Sequence, residues 1–156
     1  MKFIILDNVF EENARLAMVN RDYGLDIDWC KPGDNPIEEK ILDLCKNWHF
    51  NLESMVGYEM WCNAHNPTWH YDKDETYYNE QQIYKFPLCS IVYYAEIGND
   101  LEGGDFCTQD IRLAPKTNRL VLFAPGVYHN VYEFKGTRKA ISINPWSHIP
   151  KAHEGK

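Results

Sequence analysis

The stretch Trp69-His70-Tyr71-Asp72-Lys73-Asp74 stands within a long series of short β-like segments. In an extended chain, residues two apart face the same way. His70 and Asp72 then present an imidazole and a carboxylate side by side, a partial site for a first-row divalent metal. Taken alone the pair is unremarkable chemistry and reads as a surface histidine beside a solvated acid. Asp74 is the alternative carboxylate in the same stretch.

Two segments downstream change that reading. Pro125-Gly126-Val127-Tyr128-His129-Asn130-Val131 is a turn followed by a strand that carries a third candidate ligand, His129. Two histidines and one carboxylate on one face of a metal leave coordination positions open, the donor set of non-haem iron(II) oxygenases. A zinc hydrolase uses similar ligands, but wants a general base nearby. In Gly136-Thr137-Arg138-Lys139-Ala140-Ile141-Ser142-Ile143-Asn144, the residues Arg138, Ala140, Ser142 and Asn144 share one strand face. A guanidinium grips a carboxylate through two parallel hydrogen bonds, and a hydroxyl further along adds a third. That describes a pocket for the far carboxylate of a dicarboxylic acid. Arg138 alone reads as a surface arginine; His, Asp, His and Arg in this order do not read as chance.

With these segments in place, the sequence resembles the iron(II)/2-oxoglutarate-dependent dioxygenases, in particular their prolyl-hydroxylase branch. The likeness rests on His70-Tyr71-Asp72, Ile91-Val92-Tyr93-Tyr94-Ala95-Glu96, Glu102-Gly103-Gly104-Asp105-Phe106, Leu120 to Val131, and Arg138 to Trp146. They span roughly the C-terminal half. The resemblance implies a double-stranded β-helix, the cupin-like jelly roll, with iron(II) held by His70, Asp72 and His129. It implies that Arg138 binds the distal carboxylate of 2-oxoglutarate, with Ser142 beside it and Tyr94 donating to the same group. Tyr93 then faces the other way, unless the register slips by one. Dioxygen is the co-reactant, ascorbate a stimulant, and succinate and carbon dioxide the products that accompany hydroxylation. A carboxylate at Asp72, where related halogenases carry a small residue, favours hydroxylation. The arginine at Arg138 is more like the intracellular prolyl hydroxylases, since others of the branch use lysine there.

The rest of the chain fits a single domain over residues 1–156. Hydrophobic residues make up 44% and charged residues 25% of the 156, an ordinary soluble composition. No apolar run approaches the length of a membrane span, and no leader-like segment opens the chain. The net charge of −7, with no basic run, speaks against nucleic acid as a partner. Five widely spaced cysteines, with no Cys-x-x-Cys pair, fit a reduced cytoplasmic setting with buried thiols better than a disulfide framework. Lys2 to Leu6 reads as a strand and Val9 to Asn20 as a helix. A second helix is expected from a cap at Asn35, Pro36 and Glu38, with Ile37, Ile41, Leu42, Leu44, Cys45 and Trp48 on its apolar face. Strands are expected over Ser54–Cys62, Trp69–Asp72, Leu88–Ile97, Asp105–Thr108, Leu120–Phe123, Val127–Phe134 and Arg138–Asn144. Together these predict a mainly β fold with supporting N-terminal helices. Lys73 to Pro87, rich in tyrosine, reads as a loop: a mobile cover over a site or a plain connection. His65 reads as a turn residue; His49, His148 and His153 have no recognisable partners.

The substrate is less legible. Trp69, Trp146, Asn144 and the tyrosine-bearing segment would suit an entrance for a proline-bearing peptide or protein; both tryptophans also suit packing. A free amino acid or small metabolite is the alternative substrate. A catalytically inactive jelly-roll binding module is the alternative to an enzyme.

Overall fold

The computed structural model describes residues 3–33, 38–48, 50–63 and 68–156. The strand β1 (Phe3–Leu6) precedes helix α1 (Glu12–Asn20), followed by β2 (Asp28–Cys30), α2 (Glu38–Asn47) and β3 (Gly57–Cys62). The short helix α3 (Glu75–Gln81) then leads into β4 (Ser90–Ile97), β5 (Glu102–Gly103), β6 (Phe106–Cys107), β7 (Arg112–Leu113) and β8 (Arg119–Phe123). The chain closes with β9 (Asn130–Val131), β10 (Phe134–Lys135) and β11 (Arg138–Trp146), and a turn of 3-10 helix at Lys151–His153. Among the described residues no helix is long and apolar enough to cross a membrane.

A six-stranded antiparallel sheet, ordered β1-β8-β4-β11-β3-β2, forms one wall. A smaller sheet, β7-β6-β9, forms the opposing wall, and β5 and β10 pair as a ribbon. This is the expected mainly β jelly roll. Strand alternation sorts the large sheet's side chains onto its two faces. Ile91, Tyr93, Ala95, Ile141 and Ile143 pack outward in one cluster with Phe10, Met18 and Val19 from the helical side. Tyr94, Val121, Phe123 and Ala140 point inward and meet Phe106 and Val127 in a second cluster between the walls. The helices therefore cover one face of the sheet, and the other face lines the interior.

One irregularity sets the inward face. Along β4 and β11, Ala140 pairs with Tyr94 and Lys139 with Glu96, so Ala95 is an extra residue in β4. This β-bulge changes the alternation beyond it. Tyr94 and, past the bulge, Ile97 both pack on the inner side, while Tyr93 and Ala95 pack on the outer. Tyr94 is thus the inward tyrosine, as expected.

Several sequence expectations shift. Trp69–Asp72 is not a strand; only His70 pairs, as an isolated bridge with His129. Val127–Phe134 divides into β9 and β10, which belong to different sheets. Lys73 to Pro87 is not a plain loop, since α3 occupies its centre. Asp74 caps that helix, accepting the Tyr77 N–H at 3.1 Å, and Gln82 ends it in the left-handed region at φ 57°. The segment has no apolar stripe to announce a helix; its cap and tertiary anchors define it. In α1, Met18 and Val19 are buried, but Leu16 stays exposed. Lys2, Asn35, Pro36, Ile37, His49 and His65 lie outside the described residues. Cys30, Cys45, Cys89 and Cys107 are buried and Cys62 is half-buried, with no disulfide among them.

Candidate metal centre

The backbones of His70 and His129 exchange two hydrogen bonds: His70 N donates to His129 O at 2.9 Å, and His129 N donates to His70 O at 3.0 Å. Residues so paired across antiparallel chains project their side chains to the same side. The imidazoles accordingly lie with ring centroids 4.4 Å apart. Asp72 completes the group, its Oδ1 lying 3.3 Å from His70 Nε2 and 3.4 Å from His129 Nε2. One ligand atom from each of the three falls within 4.8 Å of the others. The expected trio is therefore brought together.

The supporting contacts aim these atoms. His70 Nδ1 is 2.6 Å from Thr68 O, and His129 Nδ1 is 2.8 Å from Val127 O. A ring nitrogen facing a carbonyl must carry the proton, which leaves Nε2 as the free lone pair on each ring. Ser90, at the start of β4, donates from Oγ to Asp72 Oδ2 at 2.7 Å and leaves Oδ1 facing the histidines. Burial alone would raise the Asp72 pKa; when the rings also carry a proton on Nε2, hydrogen bonds from His129 and His70, with that from Ser90, more than offset it and hold the carboxyl well below its usual range, and a cation would take the place of those Nε2 protons. Two neutral nitrogens and an ionised oxygen converging this way fit a divalent cation.

Arg138, Ala140, Ser142 and Asn144 face inward from β11 and line one small cavity of about 60 Å³ together with His70, Asp72 and His129. Arg138 is only 5% exposed. Its Nη1 donates to Asn63 Oδ1 at 3.0 Å, while its buried Nε has no partner and, among the described residues, no acid faces it. Desolvation lowers the Arg138 pKa, opposed in part by Tyr94. The Tyr94 ring centroid lies 5.7 Å from the guanidinium carbon. Its buried hydroxyl makes no aligned hydrogen bond, and burial raises its pKa. Gly104 borders the same group: a Cβ there would lie 3.2 Å from Arg138 Nε. Buried unpartnered donors of this kind fit an anionic ligand inside the cavity. A wider cleft of about 700 Å³ adjoins it across Asn63 and Val131, with Tyr23, Cys62, Tyr132 and Lys139 on its walls.

Other candidates have structural partners. Asp74 accepts from Lys151 N at 3.0 Å as well as capping α3, so it is not a member of the histidine cluster. His148 Nε2 lies 3.4 Å from Asp74 Oδ2 without hydrogen-bond alignment. His153 is buried, stacked on Trp29 and 2.8 Å from Glu59 Oε2. Trp146 is fully buried and donates to Glu59 Oε1 at 2.8 Å, so it packs in the interior and does not border an entrance. Trp69 is 39% exposed and tilts against Tyr128, 5.5 Å away. Sequence reasoning passed over Ser90 and Asn63. Ser90 carries no local signal, because its partner is 18 positions away. Asn63 carries no local signal either, because its partner Arg138 is 75 positions away.

No protein-family model matches the sequence, and no curated protein matches it. Solved structures do. The viral collagen prolyl hydroxylase of Paramecium bursaria Chlorella virus-1, as its 2OG complex, aligns with a TM-score of 0.64 at 14% identity, covering 93% of this chain and 95% of that one. A prolyl-4-hydroxylase of Pseudomonas putida aligns at 0.61 and 14% identity, covering 94% and 93%. An oxidoreductase of the 2OG-Fe(II) oxygenase family from Burkholderia pseudomallei aligns at 0.53 and 12% identity, covering 95% and 86%. Likeness at these identities is likeness of architecture, and by it the chain has the jelly-roll fold of the 2OG-Fe(II) oxygenases.

Proposed function

We propose that this protein is an iron(II)- and 2-oxoglutarate-dependent oxygenase. The observation that carries the proposal is a buried guanidinium without a counter-ion among the described residues, Arg138, in the same cavity as the His70-Asp72-His129 cluster. A cation buried that deeply is costly unless an anion meets it. A zinc hydrolase would give Arg138 no task. When bound, iron(II) with 2-oxoglutarate and dioxygen supplies an oxidant able to hydroxylate a C–H bond, with succinate and carbon dioxide released.

The chain's own residues orient and enclose. His70, Asp72 and His129 would hold the metal through Nε2, Oδ1 and Nε2. Arg138 receives the distal carboxylate of 2-oxoglutarate, assisted by Ser142 and Tyr94. Phe106, Phe123, Val92 and Val131 form apolar cavity walls, which restrict water and side reactions.

The substrate we propose is a prolyl residue in a peptide or protein. Support comes from two neighbours of the fold that are prolyl hydroxylases. It comes also from exposed rings beside the ligands, Trp69 next to His70 and Tyr128 next to His129, since aromatic faces suit proline-bearing chains.

The test is succinate formation by purified protein given iron(II), ascorbate, 2-oxoglutarate and air, without and then with proline-containing peptides. His129→Ala should abolish succinate. Succinate release stimulated by a peptide supports the full proposal. Failure of the iron-loaded protein to bind 2-oxoglutarate would overturn it in favour of a binding module.

A further inference from the structure

We infer that Asn63 is a positioning residue that holds the Arg138 guanidinium in place without neutralising it, keeping the cation available to an anionic ligand. This rests on the reading of Arg138 as the 2-oxoglutarate anchor and adds a residue to that site.

Asn63 directly follows β3 and adopts φ 55°, a left-handed conformation that asparagine tolerates better than most residues. The turn directs its side chain back over the start of β11. There it makes a closed set of contacts. Its Oδ1 accepts from Arg138 Nη1 at 3.0 Å and from Ala140 N at 3.1 Å. Its Nδ2 donates to Arg138 O at 2.8 Å, and its backbone N donates to Ala140 O at 2.8 Å. The amide therefore fixes the strand and one edge of the guanidinium together. The Nε edge stays unpartnered beside Gly104, which adds no side chain there.

The chemistry of the amide matters. A carboxylate at this position would make a permanent buried ion pair with Arg138 and compete with any incoming anion. An apolar side chain would leave the guanidinium free to rotate, losing the preorganisation that makes paired hydrogen bonds favourable. An amide orients the cation and leaves its charge uncompensated.

The experiment uses calorimetry on the full chain loaded with Mn(II), comparing wild type with Asn63→Asp and Asn63→Ala. The probes are Mn(II), 2-oxoglutarate, and 2-oxobutyrate, which has the same keto-acid head but no distal carboxylate. The Kd for 2-oxoglutarate should rise about 10-fold or more in Asn63→Asp, where a charged acceptor competes with the ligand, and roughly 3- to 10-fold in Asn63→Ala, where the net worth of one ordinary hydrogen bond is lost. The affinities for Mn(II) and 2-oxobutyrate should stay within about twofold in both. Unchanged 2-oxoglutarate binding in the variants overturns the inference. So do equal losses for both acids, or loss of the folding transition in both variants, since these mark a purely structural residue. Should the Asp variant alone fail to fold, the Ala variant decides by the same criteria. Wild type that binds Mn(II) but not 2-oxoglutarate overturns the reading of the site itself, and the inference with it.

Discussion

Single atoms divide the labour in this cavity. Ser90 Oγ donates to Asp72 Oδ2, the carboxylate oxygen turned away from the histidines, so its task is to keep the carboxylate oriented. Ser90→Ala should weaken Mn(II) binding by about 10-fold while His70 and His129 remain in place, the usual effect of losing an outer hydrogen bond to a ligand; a metal titration checks it. Arg138 gives the opposite kind of prediction. Its burial without an acid costs stability in the ligand-free protein, so Arg138→Met should raise stability by about 1–2 kcal/mol and abolish 2-oxoglutarate binding. Denaturant unfolding and calorimetry read the two effects separately. The grouping of His70, Asp72 and His129, with Arg138 in the same cavity, was legible in the sequence because donor type and order carry information. Ser90 and Asn63 were not, because an ordinary serine and a turn asparagine gain meaning only from what the fold sets against them.

The elements show a similar division. Long strands such as β4 and β11 were readable, β4 from its unbroken run Ile91 to Ala95 and β11 from the alternation Ile141-Ser142-Ile143-Asn144. The pieces that build the rim were not. The stretch from Val127 to Phe134 reads as one strand, yet its two halves pair with different partners, β6 and β5. Helix α3 is marked by Asp74, whose chemistry equally suits a metal ligand. Burial assigns it: Asp74 is 3% exposed and ties α3 to the backbone at Lys151. Asp74→Ala should cost about 2–3 kcal/mol, adding a lost cap to an unpartnered N–H at Lys151. Chemical denaturation gives the magnitude, and hydrogen exchange should show α3 and the 3-10 turn loosening together.

Across the whole molecule, the isolated bridge between His70 and His129 joins the segment leading to α3 with the small sheet, since His129 immediately precedes β9. A metal held by both histidines and Asp72 would act as a cross-brace over chain segments distant in sequence. Mn(II) at about 100 times its Kd should add about 2.7 kcal/mol, a rise in Tm of roughly 5–10 °C for a chain of this size. Thermal melts with and without the metal test this, and His129→Ala should show no rise. The cysteines carry a different consequence. Four of the five thiols are sealed in the interior, and Cys62 alone is half-exposed, on the wall of the wide cleft. Burial raises its pKa above the ordinary thiol value, so it reacts slowly at neutral pH and faster as the pH rises. A sulfhydryl reagent applied to the native protein should therefore attach at one place, giving a ready-made anchor for a spin label or fluorophore. That reporter would sit next in sequence to Asn63, without any engineered cysteine.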